Sequence, residues 1–567
     1  MDKKWIYPKP TNEAKVRDLA KAININPLLA ELLLRRKIES FDQARDFFRP
    51  NLEHLHDPFL LQDMGKAVER LNEALFKKEK VLIYGDYDVD GTTAIALVYQ
   101  FLRDHIHDSI SYYVPDRYDE GYGISEKGIR WAAENNFTLV IALDCGIKAF
   151  KNASLAKNLG IDLIICDHHL PDHHLPDAFA VLNPKRTDCN YPFDGLSGCG
   201  VGFKFLQAFC QQNTIDQKEL YQYLDLVAVS IASDLVPIID ENRIMTFFGL
   251  QKLTQAPSAG LKALKDISGI TGVVDIQSIV FGIGPRINAA GRIDHAKDAV
   301  QLLVATNDIE AEAVAAAVNK NNTRRKDFDK DITIEALAEI EDGNLQTAKS
   351  TVLFNNNWHK GVIGIVASRC IEKYYRPTII LTESNGKATG SARSVAGFDV
   401  YEAIASCSDL LDQYGGHRFA AGLTMPKENI ELFKEKFEEV VSALITEDIL
   451  TPKINIDLKL HLDSIGFKFN RVLQQMSPFG PGNLEPIFAS DDLVLVGEPR
   501  IMKEIHMKFF VRQKESKKSF EVIAFNLAHF AKDIKEHSFN LAYNIQKTTY
   551  MDETALQLNA KDILLND

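Results

Sequence analysis

Between residues 81 and 183 the chain alternates short β-type runs with helical stretches, and this alternation restricts its fold more than any other feature. "VLIY" precedes Asp86, "SYYV" precedes Pro115, "TLVIAL" precedes Asp144, "DLIIC" precedes Asp167, and "FAVLNP" follows. Helical patterns at 125–135 and 149–159 lie between them. Alternation of this kind predicts a parallel sheet with right-handed crossovers. Parallel strands all point the same way, so the residues that follow them collect at one edge, where open α/β sheets bind ligands. Asp86, Asp88 and Asp90 follow the first strand, Asp144 a later one, and Asp167, His168 and His169 another. The helical "LYQYLDLVAVSIASD" then delivers Asp234.

The stretch "GDYDVDG" also invites comparison with a calcium loop. A calcium EF-hand loop needs a bidentate Glu at its twelfth position and helices on both sides. Counting from Asp86, that position holds Leu97, and the preceding run is of strand type. The carboxylates are therefore expected on a strand-to-helix loop, with "TTAIALVYQFLRD" opening as a helix at the hydroxyl residues from Thr92. Clustered carboxylates repel one another unless a cation sits among them. Four or five Asp with one or two His fit two hard divalent ions, Mn²⁺ or Mg²⁺. Two such ions would activate a water and stabilise both oxygens of a phosphate ester under attack. The predicted chemistry is phosphodiester or phosphoanhydride hydrolysis.

Composition narrows the setting. At 567 residues the chain needs several cores, and 46% hydrophobic with 25% charged residues is ordinary for a globular protein. "MDKKWIYPKP" has no apolar signal core and the apolar stretches are too short to span a bilayer, so a cytoplasmic protein is expected. Its 7 cysteines form no close pair, which argues against a zinc knuckle or a disulfide framework. A net charge of −13 excludes a broadly basic surface but leaves room for a narrow positive channel that holds phosphates. Residues 293–342 contain neither Gly nor Pro and predict a long helix or helix pair as a spacer. A second α/β pattern runs from "TVLFN" to the helices near Glu431, and short β-rich segments after Pro452 suggest a small OB-type barrel.

"GDYDVDG", "LDCGI", "CDHHLP" and "ASDLVP" resemble the four motifs of the DHH phosphoesterase superfamily. "YVPDRYDEGYGIS", "LSGCGVGFKF", "FGIGPRINAAGRID", "NWHKGVIGIVASR", "GSARSVAGFD", "GGHRFAAGLTM" and "PFGPGNLEPIF" are similar, in the same order, to those of the RecJ family of single-strand-specific exonucleases. The resemblance implies an N-terminal helical segment at 1–50, a DHH catalytic domain at 51–290 and a connecting helical region at 291–345. A DHH-associated substrate-binding domain at 346–447 and an OB-like DNA-binding barrel at 448–567 complete it. It further implies that Asp86 and Asp88 hold one metal, that Asp90, His168 and Asp234 hold the other, and that Asp144 bridges them. His169 would contact the scissile phosphate, and Asp167 would orient a ligand. Ser391, Arg393 and Arg117 would capture a terminal 5′-phosphate through forked guanidinium bonds. Arg286, Asn288 and Arg292 would hold the strand near the metals, and Gly415, Gly416 and His417 would approach phosphate. Single-stranded DNA is the implied substrate, a single-strand-binding protein and a helicase the implied partners, and a monomer the implied state.

Plainer readings compete at several positions. His173 and His174 follow Pro171 and read as exposed loop residues. Cys145 reads as a small buried neighbour of Asp144, "TRRKD" at 323–327 as a solvated helix face, and His359 equally as substrate contact or structural hydrogen bonder. Tyr122 is divided between stacking on a base and packing. The N-terminal "TNEAKVRDLAKAININPLLAELLLRRKI" reads as helices that cover the catalytic domain. Two other functions stay open: a sibling phosphoesterase for short oligonucleotides or cyclic dinucleotides, and a catalytically inert single-strand DNA-binding replication scaffold.

Overall fold

Five parallel strands carry the first half of the chain: β1 (Lys80–Gly85), β2 (Ile110–Tyr113), β3 (Phe137–Leu143), β4 (Asp162–Cys166) and β5 (Ala180–Leu182), in the order β2-β1-β3-β4-β5. This computed structural model describes residues 3–105, 109–514, 516–550 and 553–566. Apart from the half-buried edge strand β2, the strand runs are almost wholly buried because helices cover both faces. Val81, Ile83, Leu139 and Ile141 enter one core, and Leu82, Tyr84, Val140 and Ala142 enter the other. This alternation is the period-two pattern of a strand buried on both sides. Ser125 caps the Glu126–Glu134 helix by accepting from the Gly128 N–H, as its hydroxyl and spacing predict.

The spacer resolves into a short helix, Lys297–Leu303, and one of 35 residues, Asp308–Asp342, whose first turn is capped by Asn307. At 1.5 Å per residue the long helix spans about 50 Å. It leads into a five-stranded sheet of β6 (Thr351–Phe354), β7 (Thr378–Ser384), β8 (Lys387–Arg393), β9 (Gln413–His417) and β10 (Ala420–Met425), ordered β9-β10-β8-β7-β6. Only β6 and β7 pair in parallel. Residues 51–445 with 480–482 form one body.

Residues 1–50, 446–479 and 483–567 form a second body. Its sheet closes on itself: β11 (Phe488–Met502), β12 (His506–Gln513), β13 (Ser519–Ala524), β15 (Glu553–Leu565) and β14 (Phe539–Tyr550) pair in that order, and β14 returns to β11. This is the OB-type barrel expected from the sequence. The N-terminal helices Glu13–Ile23, Pro27–Arg35 and Phe41–Phe48 share its core, with Leu29, Leu32 and Leu33 clustered with Phe469 and Phe488. Among the described residues no helix is long and apolar enough to cross a membrane.

Candidate active site

Asp86 leaves the end of β1 and is buried. The next helix begins at Val89, three residues before the expected start at Thr92. The cause is Asp88, whose Oδ1 accepts from the Asp90 N–H at 2.9 Å and the Gly91 N–H at 3.1 Å and so caps the first turn. The Thr92 and Thr93 hydroxyls donate backward, to the carbonyls of Asp88 (2.6 Å) and Val89 (2.7 Å). Asp90 therefore projects from the helix's first turn and not from a loop. Only glycine fits at Gly91, where a Cβ would lie 2.5 Å from the Asp86 carbonyl oxygen.

Asp90 is anchored by a second helix, Gly198–Gln212. The Gly198 and Cys199 N–H groups donate to its two oxygens at 2.7 and 2.8 Å, and the Ser230 hydroxyl donates to Oδ1 at 2.7 Å. A helix N-terminus favours the carboxylate's negative charge. This helix start is legible in "LSGCGVGFKF" as Ser197 before a run of small residues, and Ser197 caps it by accepting from the Gly200 N–H. Asp144, after β3, has φ +59°, a left-handed backbone that Asp tolerates better than most residues. A Cβ on Gly198 would lie 2.4 Å from the Asp144 Cβ, so that glycine gives the carboxylate its space.

After β4, Asp167 turns inward and accepts from the N–H groups of Ile147, His168 and His169. Its Oδ1 also lies 2.7 Å from His169 Nδ1. Burial alone would lower the His169 pKa, but the Asp167 bond and charge override it and raise the pKa to about 9. Asp167, despite its burial, is held down at about 2 by the same pairing. Tyr122 is exposed, and its hydroxyl reaches the Asp144 carbonyl and His169 Nε2, both at 3.3 Å. Cys145 is buried, and burial raises its thiol pKa well above the ordinary value, which makes it a poor nucleophile. His173 and His174 are exposed.

These side chains converge as three overlapping groups of three, one of them Asp144, His168 and His169, whose ligand atoms lie within 4.8 Å of one another. Ligand atoms of Asp86, Asp88 and Asp144 lie within 4.8 Å of one another, as do those of Asp90, His168 and Asp234. His168 links the groups, with Nε2 3.2 Å from Asp144, 3.5 Å from Asp234 and 3.7 Å from Asp90. Asp86 Oδ1, Asp144 Oδ1 and both His168 ring nitrogens are buried without a hydrogen-bond partner among the described residues. Buried polar atoms left in this state are costly, and a cation would satisfy them. Burial and then the neighbouring carboxylates raise the pKa of Asp86 and Asp144 well above the usual range. Burial also lowers the His168 pKa, leaving a neutral imidazole suited to coordination. Five carboxylates and one imidazole fit hard divalent ions such as Mn²⁺ or Mg²⁺.

A pH dependence of the metal-free protein follows. Asp234 is pushed up to about 8, first by burial and then by Asp90 and Asp88. An acid with a raised folded pKa is protonated in the fold where the unfolded chain is ionised. Its contribution is complete below the ordinary value of about 4 and is lost as pH rises through about 8. Melting in a chelator should show Tm falling over that window, and saturating Mn²⁺ should raise Tm and flatten the fall. A level profile in the chelator would contradict the clustered-charge account.

Three arginines converge beside the carboxylates. Arg117 lies over the Tyr87 ring at 5.0 Å, Arg292 donates to the Gly361 carbonyl at 3.0 Å, and Arg393 donates to Ser391 Oγ at 3.0 Å. Gly364 leaves room for this pair, since a Cβ there would lie 2.7 Å from the Arg393 guanidinium. No carboxylate pairs with any of the three among the described residues. Burial first, then the charges of Arg117, Arg393 and Arg325, push Arg292 down to about 10. Within "TRRKD", Thr323, Arg324, Lys326 and Asp327 are exposed as a solvated helix face requires, whereas Arg325 is mostly buried and lies 3.8 Å from Asp329.

Arg286 is not placed as expected. Its guanidinium is spent inside the fold, donating to Asn319 Oδ1 and to the carbonyls of Gly282 and Ile267. Arg286→Ala should leave two carbonyls short of donors, cost about 1–3 kcal/mol in thermal melts, and leave single-strand affinity unchanged. Asn288 is half-buried in the Gly284–Ile293 helix, one turn before Arg292. Gly415, Gly416 and His417 lie exposed on the edge strand β9, and among the described residues no contact draws them to the carboxylates. His359 stacks on Phe328 at 4.9 Å and accepts from the Gly361 N–H, both structural contacts.

Residues 80–231 match the "DHH family, N-terminal domain", residues 344–443 the "DHHA1 domain", and residues 456–562 the "RecJ OB domain". The single-stranded-DNA-specific exonuclease RecJ of Salmonella typhimurium is 31% identical over 95% of this chain and 96% of its own length. The protein of that name from Bacillus subtilis is 35% identical over 92% of this chain, which spans 66% of that relative's length. A crystal structure of RecJ from Thermus thermophilus with Mn²⁺ is 26% identical, with TM-score 0.86 over 100% of this chain and 80% of its own. Its Mg²⁺ complex is 25% identical, with TM-score 0.79 over 100% and 79%.

Proposed function

The chain belongs to the RecJ family of single-stranded-DNA-specific exonucleases, and from that premise we propose that it hydrolyses single-stranded DNA from the 5′ end and releases 5′-mononucleotides. The observation that carries this reading is the overlapping three-ligand groups beside Arg117, Arg292 and Arg393, none of which pairs with a carboxylate among the described residues. Asp86 and Asp88 would hold one divalent cation and Asp90, His168 and Asp234 the other, with Asp144, which groups with Asp86 and Asp88 and also with His168, between them. When bound, two such cations activate a water and stabilise the entering and leaving oxygens of the phosphate.

The chain's own groups do the rest. Gly198, Cys199 and Ser230 fix Asp90 so that its carboxylate keeps one orientation. His169, held protonated by Asp167, presents a proton to the scissile phosphate or its leaving oxygen. Arg393, Arg117 and Ser391 grip the terminal 5′-phosphate, and Arg292 with Asn288 faces the adjoining backbone. A phosphate grip one nucleotide from the metals measures each cut from the free end. The barrel extends the hold on the strand. A cytoplasmic monomer that serves repair and recombination, with a single-strand-binding protein and a helicase as partners, completes the proposal.

Asp167→Asn should lower kcat by about 10–100-fold with Mn²⁺ binding retained, because it loosens His169 without removing a ligand. The reading is tested with a 5′-labelled strand under single-turnover conditions. It predicts that the label appears first as a mononucleotide, at similar rates for long and short strands. Cleavage confined to dinucleotides would point to the sibling phosphoesterase, and binding without cleavage to the inert scaffold.

A further inference from the structure

Asp234 is the one metal-site carboxylate that sits at the C-terminal end of a helix. It terminates the Leu224–Ser233 helix and is the most exposed member of its group, with 28% of its side chain accessible. The next residue, Leu235, is exposed and left-handed at φ +56°. The position of Asp234 therefore depends on what holds the turn from Leu235 to Ile239.

Two anchors do so. On one side the buried Asn242 donates to the Pro237 carbonyl at 2.9 Å and to the Gly195 carbonyl at 2.6 Å. On the other, the Ile238 N–H donates to the Pro481 carbonyl at 2.7 Å. Pro481 lies within "PFGPGNLEP", whose glycines have no spare space. A Cβ on Gly480 would lie 2.4 Å from Ile238 Cδ1, and Ile238 is fully buried in the core and cannot simply swing away. Gly482 has φ +76°, and a Cβ there would meet Ile239 Cγ2 at 3.1 Å. Glycine is needed at both positions for the backbone to approach this closely.

We propose that the Gly480-Pro481-Gly482 segment is a positioning clip that seats Asp234 for its metal by gripping the turn at Ile238. This rests on the proposed two-metal reading, and its residues act through Asp234 without touching substrate. The consequence is selective: loosening the clip weakens the ion held by Asp90, His168 and Asp234 and spares the one held by Asp86, Asp88 and Asp144.

Titration of the full-length chain with Mn²⁺ by calorimetry tests it. Wild type should bind two ions. Gly480→Ala should weaken one of them by about tenfold or more and leave the other unchanged, with a corresponding fall in kcat. Ile238→Val in the Gly480→Ala background removes the colliding Cδ1 and should restore the weakened site. Two ions bound as tightly in Gly480→Ala as in wild type, or parallel weakening of both without rescue, would overturn the clip. Failure of wild type itself to bind two ions would overturn the two-metal reading on which the clip depends.

Discussion

Asp144→Asn should reduce single-strand hydrolysis by at least about 1,000-fold while leaving DNA affinity nearly intact. Among the ligand candidates Asp144 has the most central position: it is grouped with Asp86 and Asp88, and His168 Nε2 is 3.2 Å from its Oδ1. Its removal disturbs both groups at once, and a loss of about 4 kcal/mol in transition-state stabilisation corresponds to that factor. Asn keeps nearly the same volume against Gly198, so a folding defect is not expected. The proposed strand contacts lie elsewhere, on the arginines. Steady-state kinetics with fluorescence anisotropy for binding separates the two effects. Full activity in this variant would remove Asp144 from the chemistry.

The second large effect falls on the arginines. Arg393→Ala should lower kcat/KM on a 5′-phosphorylated strand by about 10–150-fold, the range set by charge-assisted hydrogen bonds worth about 1.5–3 kcal/mol. The same variant should act on a 5′-hydroxyl strand nearly as wild type does, so the preference for phosphate collapses. Arg117→Ala should show the same pattern less strongly, because Arg117 is held by the Tyr87 ring and not by Ser391. Equal losses on both substrates would place Arg393 along the strand and not at its terminus.

The sheet and its acidic edge were legible because parallel strands carry a polarity that sequence preserves: a run of Val, Ile and Leu followed by Asp has one spatial meaning. The helix start was misread because Thr92 and Thr93 resemble capping residues, whereas Asp88, itself a ligand candidate, takes that role. Arg286 misled because an arginine in a glycine-rich motif looks the same in sequence whether it faces phosphate or three internal acceptors. The N-terminal helices gave an amphipathic pattern but no sign of which core receives it, and they join that of the barrel. Contacts between distant segments, such as Ile238 with Pro481 or Asp90 with the start of the Gly198–Gln212 helix, leave only glycines as their trace.

Diffraction at the manganese edge from Mn²⁺-soaked crystals addresses the central claim most directly. Two anomalous peaks about 3.5–4 Å apart are predicted, one touching Asp86, Asp88 and Asp144, the other touching Asp90, His168 and Asp234. A single peak, or ions bound away from these six side chains, would contradict it.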